Sequence, residues 1–191
     1  MSKAANRLCI DGGRLWQSLM TMAEIGATAK GGVCRLALSE TDRDGRRLFA
    51  EWAEAAGCRL SIDGIGNMFA HCAGRDDSLA PVLVGSHLDS QPTGGKFDGA
   101  YGVLSGLEVV RALQDAGIET LRPIEIVNWT NEEGSRFAPA MMGSGTYSGA
   151  LALEEVLAQE ESGGGQTVAE ALTEHGLAGD APVGESTPHA Y

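Results

Sequence analysis

The stretch that decides the fold is PVLVGSHLDS, residues 81–90. Its first five residues are continuously apolar, which is typical of a strand buried on both faces of a parallel sheet. A second apolar strand, IEIVNW, follows at residues 124–129, after a glycine-rich loop at 89–99 and a helical stripe from Val103 to Leu113 that is closed by Gly117. This order of strand, loop, helix and strand is a βαβ unit. It predicts an α/β fold, with a mainly parallel sheet flanked by helices.

Shorter elements are expected on both sides of this unit. Apolar residues at helical spacing predict helices over 12–25 and about 40–56, and two short strands are predicted at 59–62 and 67–73 around an Asp63-Gly64 turn. The loop 131–149 is expected to be irregular. Further helices are predicted at 151–159 and 168–175, with a flexible glycine-rich joint at 162–165 between them.

Composition narrows the possible partners. The 191 residues carry a net charge of −12, which argues against nucleic acid as a partner. No apolar run approaches the roughly 18 residues of a membrane helix, and no apolar segment of a signal peptide follows the N-terminus. The four cysteines are widely spaced and are expected to be reduced thiols, which favours a cytoplasmic location. Residues 151–191 contain eight acids and no Lys or Arg, so we expect a solvated surface, with an interaction tail as the alternative.

Acidic and imidazole side chains follow both strands of the βαβ unit. His87 and Asp89 come after the first strand, Glu132 and Glu133 come after the second, and Asp98 lies on the loop between them. Ligands of open α/β sheets bind beyond the carboxyl ends of the strands, so all five are expected at one rim. An Asp in this position can hold the ring of a metal-bound His, and one Glu can bind metal while the other acts as a general base.

Each of these motifs alone also has an ordinary structural explanation. A single His, a surface Glu pair or an Asp-Gly turn is weak evidence, but the combination favours a metal site. Nitrogen and oxygen ligands of this kind suit Zn, Mn or Co. Trp129 and Phe137 are predicted to be packing residues, and Met141 and Met142 core residues. His175 and His189 are predicted to be surface or structural residues.

Two longer stretches resemble a known family. GSHLDSQPTGGKFDGAYGVLSGLEVV, residues 85–110, and VNWTNEEGSRFAPAMMGSGTYSGAL, residues 127–151, strongly resemble the N-carbamoyl-L-amino-acid hydrolases. These enzymes group with the β-ureidopropionases and allantoate amidohydrolases among the aminoacylase/carboxypeptidase-type di-metal hydrolases. The resemblance extends over nearly the whole chain, including RLWQSLMTMAEIGAT at 14–28 and DGIGNMFAHCAG at 63–74.

The resemblance implies a role for each site residue and two divalent metal ions as cofactors. His87 would bind one metal, Glu133 the other, and Asp98 would bridge both. Glu132 would be the general base, and Asp89 would orient His87. The implied reaction is hydrolysis of an N-carbamoyl-L-amino acid or 3-ureidopropionate to amino acid, CO₂ and ammonia. Allantoate hydrolysis is the alternative within the class, and a non-catalytic binding remnant is the alternative outside it.

The resemblance also implies that residues 1–191 are the N-terminal part of a longer catalytic domain. Family members carry a lid and dimerisation domain and two more metal-binding His residues, one of them shortly after a segment like Pro188–Tyr191. We therefore expect weak metal binding and little catalysis from this part alone, an exposed half-sheet, and a homodimer for the full-length form. The expected partner is a small-molecule N-carbamoyl substrate.

Overall fold

A computed structural model describes residues 8–184 and places helices on a four-stranded sheet. In chain order, the elements are α1 (Gly12–Met22), α2 (Glu40–Ala55), β1 (Arg59–Ile62), β2 (Met68–Cys72), β3 (Val82–His87), α3 (Ala100–Asp115), β4 (Ile124–Trp129), α4 (Met142–Tyr147), α5 (Leu153–Leu157) and α6 (Val168–His175).

The sheet has the strand order β1-β2-β4-β3 and is mixed. Only β3 and β4 pair in parallel, whereas β1–β2 and β2–β4 are antiparallel. The predicted α/β class with flanking helices is confirmed, but parallel pairing is confined to the βαβ unit. The reason is the tight turn at 63–67, which joins β1 and β2 as a hairpin and so makes that pair antiparallel.

The prediction that the strand after Pro81 is buried on both faces is wrong. Val82 is 43% exposed, and the next four residues of β3 are only half-buried. An apolar run of this kind identifies a strand, but it does not tell how completely helices cover the two faces of the sheet there.

Two hydrophobic cores hold the described residues together. In the first, the inner sides of α1, α2 and α3 pack against the sheet residues Met68, Ala70 and Ile126. The second core lies around the segment from Phe137 to Leu177 and includes the apolar sides of α5 and α6. Phe137 and Met142 are fully buried there, as predicted, but Met141 is 58% exposed and is not a core residue.

The helix boundaries follow local signals, with one omission. Asp11 caps α1 by accepting hydrogen bonds from the backbone N–H groups of Gly13 and Arg14. α6 begins with a capping box between Thr167 and Glu170. α4 lies inside the stretch predicted to be irregular. The helix was not predicted because its glycine-rich sequence has no helical stripe of apolar residues. Residues 162–165 form a turn between short bridge pairings, and the predictions for Pro188–Tyr191 lie outside the described residues.

Cys58 and Cys72 form a disulfide, so the prediction that all four cysteines are reduced is wrong for this pair. They occupy the next opposed position after Arg59 and His71 in the β1–β2 register, with 4.4 Å between their Cα atoms. The hairpin brings them together, and their separation in sequence concealed the pairing. Cys9 and Cys34 are free thiols.

The predicted cytoplasmic location was based partly on four reduced cysteines, and Cys58 and Cys72 no longer support it. The location stays a prediction. Within residues 8–184, none of the helices combines the length and the apolar character needed to span a bilayer.

Candidate metal and catalytic site

The parallel pairing of β3 and β4 brings the two predicted motifs together. His87 lies opposite Trp129 at the strand ends, so the segment after Trp129 returns beside the His87 ring. Nε2 of His87 is 3.3 Å from Glu132 Oε2 and 4.0 Å from Asp98 Oδ1. His87 is buried, whereas the Asp98 side chain is 72% exposed. Two predicted carboxylates, those of Glu132 and Asp98, therefore converge on one ring nitrogen of His87.

Gly99 allows the start of α3 to lie directly against His87. It is the N-cap residue of α3 and has a φ of 65°, a conformation that favours glycine. A Cβ atom at this position would overlap the imidazole ring. The glycine after Asp98 is thus required for the close approach that sets the Asp98 carboxylate beside Nε2.

The second ring nitrogen of His87 forms a hydrogen bond with the backbone. Nδ1 is 2.9 Å from the carbonyl oxygen of Asp89, and because a carbonyl can only accept, Nδ1 carries the hydrogen. The Asp89 carboxylate is farther from Nδ1, at 3.6 Å. Asp89 therefore contacts the ring through its main chain, a contact that the sequence did not reveal. Its orienting role during catalysis stays a prediction.

The Asp89 carboxylate instead forms hydrogen bonds with the backbone of the second motif, at Glu132 and Glu133. Its two oxygens accept the backbone N–H groups of Glu132 and Glu133, each at 3.2 Å. Burial raises the pKa of Asp89 to about 6, and the nearby Asp42 adds to this rise. The charge of His87 and the two N–H donors act in the opposite direction. One buried side chain thus links the loop after β3 to the loop after β4.

Glu133 does not reach the His87 cluster. Its Oε2 accepts a hydrogen bond from Gln91 Nε2 at 2.6 Å, and Gln91 Oε1 accepts one from Ser135 at 2.7 Å. The sequence did not lead us to predict Gln91 as a site residue. Its position two residues after Asp89, on the same loop, could have indicated it.

The loop that carries Glu132 and Glu133 is held from behind by the start of α4. The backbone N–H of Met141 donates to the carbonyl of Glu132 at 2.7 Å, and that of Gly143 donates to Thr130 at 2.8 Å. A Cβ at Gly143 would overlap Asn67 and the Thr130 backbone. The helix missed by the sequence reasoning therefore supports the catalytic candidate Glu132.

The donor chemistry around His87 fits a divalent transition-metal ion. With Nδ1 donating to the Asp89 carbonyl, Nε2 is the ring nitrogen that faces the carboxylates of Glu132 and Asp98. The Nε2 lone pair and these carboxylates repel one another unless a proton or a cation lies at Nε2. Nitrogen and oxygen donors of this kind suit Zn, Mn or Co. In the described part of the chain, however, no three His, Cys, Asp or Glu side chains form a complete metal site. This part therefore supplies a partial donor set.

Comparison with known proteins agrees with this chemistry. Residues 83–186, more than half of the chain, match the sequence model of peptidase family M20/M25/M40. The chain belongs to this family. The matched segment of this M20 protein contains β3, α3, β4 and all five predicted site residues.

Individual relatives of this M20 protein are amidohydrolases by name. An N-carbamoyl-L-amino-acid amidohydrolase from Rhizobium meliloti is 50% identical over 182 residues, which are 95% of this chain and 44% of the relative. An allantoate amidohydrolase from Bacillus subtilis is 31% identical over 75% of this chain and 35% of the relative.

Solved structures give the same result. The crystal structure of a hydantoinase/carbamoylase family amidase from Burkholderia multivorans superimposes with a TM-score of 0.93 at 57% identity, covering 95% of this chain and 44% of that chain. The chain thus spans less than half the length of the relatives it matches.

Proposed function

We propose that the full-length form of this M20 protein hydrolyses the ureido C–N bond of an N-carbamoyl-L-amino acid or 3-ureidopropionate. The observation that carries the proposal is the convergence of His87, Asp98 and Glu132 at the carboxyl ends of β3 and β4. The 50% identity to a relative named for this activity supports the substrate class.

The site residues divide into metal holders and a proton carrier. His87, Asp98 and Glu133 would hold two divalent ions, which are Zn, Mn or Co in this proposal, together with residues beyond the described part. Such ions polarise a carbonyl and lower the pKa of bound water when present. The 31% exposed Glu132 carboxylate is accessible to water and accepts the proton of the attacking water molecule.

The proton taken up by Glu132 is used again when the C–N bond breaks. Water oxygen bonds to the carbamoyl carbon, and the bond from that carbon to the amino-acid nitrogen breaks. Protonated Glu132 returns its proton to this leaving nitrogen, which releases the amino acid. The carbamate that is left decomposes to CO₂ and ammonia.

Allantoate is the second candidate substrate, favoured by the similarity to the Bacillus subtilis allantoate amidohydrolase. The proposed partner is thus a small molecule with a linear ureido group. A homodimer of the full-length protein and a cytoplasmic location belong to the same proposal.

The test is Glu132→Gln in the full-length protein. The side chain keeps its shape but loses its basicity, so we expect ammonia release to fall by about 10²–10⁴-fold. Ammonia is measured with N-carbamoyl-L-amino acids, 3-ureidopropionate and allantoate, after chelation and after return of Zn, Mn or Co. Glu155→Gln, on the exposed side of α5, is the matched control and should leave the rate unchanged.

The outcomes separate the candidates. Activity on allantoate alone would assign the second substrate. Activity that survives complete chelation, or that is unchanged in Glu132→Gln, would contradict the proposed mechanism.

A further inference from the structure

A fully buried guanidinium lies directly behind the candidate site. Arg35 is 1% exposed, and its Nε donates to the carbonyl of Leu88 at 2.6 Å. Its Nη1 donates to the carbonyls of Met22 and Ile25 at the end of α1, at 3.0 and 2.8 Å. All three acceptors are uncharged. Arg35 therefore ties the end of α1 to the residue that follows His87.

The backbone of Arg35 also forms hydrogen bonds with the loop after β3, at Ser90. Its N–H donates to Ser90 Oγ at 2.9 Å, and its carbonyl accepts the N–H of Ser90 at 2.8 Å. Leu88 and Ser90, the two neighbours of Asp89, are thus both bonded to one residue. Between these two residues, the Asp89 carbonyl points at Nδ1 of His87.

Burying this cation is costly, and the surroundings are arranged to permit it. Burial lowers the pKa of Arg35, whereas the charges of Asp42 and Asp89 act against this lowering. Asp42 is itself paired with the buried Arg46 at 2.9 Å. Gly45 of α2 leaves room for the side chain, because a Cβ there would lie 3.0 Å from Arg35 Cδ. An apolar residue would fill the same space without the desolvation cost, but it would make none of the three side-chain hydrogen bonds of Arg35.

We propose that Arg35 is a positioning residue for the metal site. Through its side-chain bond to Leu88, beside its backbone bonds to Ser90, it holds the Asp89 carbonyl against Nδ1 of His87, which leaves Nε2 facing Glu132 and Asp98 and available to a cation. It also holds the Asp89 carboxylate beneath the backbone of Glu132 and Glu133. Arg35 touches no reacting atom. Its effect on turnover rests on the proposed function, but its effect on the His87 ring does not.

The test compares Arg35→Lys and Arg35→Met with Arg14→Lys in the full-length protein. Lysine keeps the charge but has a single nitrogen in place of the planar fork, so it cannot reproduce the three bonds. Arg14 pairs with Glu108 at 2.8 Å near the opposite end of α1, and Arg14→Lys controls for the loss of an Arg contact in general.

Three measurements are made on each variant: ¹H–¹⁵N spectra of the histidine rings, calorimetric titration with Zn²⁺, and thermal unfolding. The spectra are recorded above the histidine titration range, with His87 assigned by His87→Gln. In the wild type and in Arg14→Lys, we expect His87 to carry its hydrogen on Nδ1 only. In the Arg35 variants, we expect a mixture of tautomers and an about 10–100-fold loss of Zn²⁺ affinity.

The experiment tests the role of Arg35 even if one of the two Arg35 variants does not fold. Should Arg35→Met not fold, Arg35→Lys carries the comparison. A His87 tautomer unchanged in a folded Arg35→Lys, with stability lowered only as in Arg14→Lys, would overturn the proposal and leave Arg35 a structural residue. The tautomer does not depend on turnover, so an inactive full-length protein would contradict the proposed function without touching this inference.

Discussion

At the scale of single residues, the site depends on how one imidazole is held. Nδ1 of His87 is occupied by the Asp89 carbonyl, which directs Nε2 toward Glu132 and Asp98. The Asp89 side chain meanwhile fixes the backbone that carries Glu132. One residue therefore sets the relative position of the metal ligand candidate and the base candidate, through two different groups of atoms.

Asp89→Asn tests this double role. An amide offers only one acceptor oxygen to the two N–H groups of Glu132 and Glu133, and its NH₂ group would face a donor. We expect an about 10–100-fold lower affinity for Zn²⁺. We also expect the free energy of unfolding to fall by about 1–3 kcal/mol, since one buried N–H group loses its acceptor.

Calorimetry and chemical denaturation measure the two quantities. Asp76→Asn, on an exposed loop where Asp76 accepts from Ser78, is the control. Unchanged Zn²⁺ affinity in Asp89→Asn would show that the Glu132–Glu133 loop needs no such anchor.

At the scale of elements, the parallel pair β3–β4 brings the two motifs together. Gly85 lies opposite Val127 in this pair, and a Cβ at Gly85 would overlap the Val127 backbone. The apolar pattern predicted both strands, because period and composition are local properties. It did not predict α4, whose glycine-rich sequence becomes helical through its contacts with the loop after β4.

Gly85→Ala should separate β3 from β4. We expect the free energy of unfolding to fall by about 3 kcal/mol through overpacking, and the amides of Ile124–Trp129 to exchange faster. Denaturant titration and hydrogen exchange provide the two measurements. Gly95→Ala, where a Cβ meets nothing within 4 Å, should stay within about 0.5 kcal/mol of the wild type. Equal stabilities of the two variants would rule out the close approach at Gly85.

At the scale of the whole molecule, a cross-link strengthens the side of the sheet farthest from the site. The Cys58–Cys72 disulfide joins β1 to β2, while the candidate site lies at the ends of β3 and β4 on the opposite side of the strand order. Stability and site chemistry are therefore separable in this fold.

Removing the cross-link should lower stability without changing the site. Its half-cystines are 14 residues apart, so the double variant Cys58→Ala, Cys72→Ala should lose about 3 kcal/mol relative to the oxidised protein. Thermal unfolding with and without a dithiol reductant measures the loss, and the wild type should respond to reductant while the variant does not. The double variant Cys9→Ala, Cys34→Ala, which lacks the two free thiols, is the control. A wild type insensitive to reductant would contradict the cross-link.

The sequence by itself determined all the elements except α4, the α/β class and the identity of the chemical groups at the strand ends. These follow from periodicity, from turn residues and from the types of side chain, all of which are local. Only the tertiary structure decided the mixed strand order, the Cys58–Cys72 pair, the carbonyl contact of Asp89, and the place of Arg35 and Gln91 behind and beside the site. Most of these features join segments far apart in the chain, and the Asp89 carbonyl contact depends on the path of the backbone, so neither the spacing nor the composition of a single stretch encodes them.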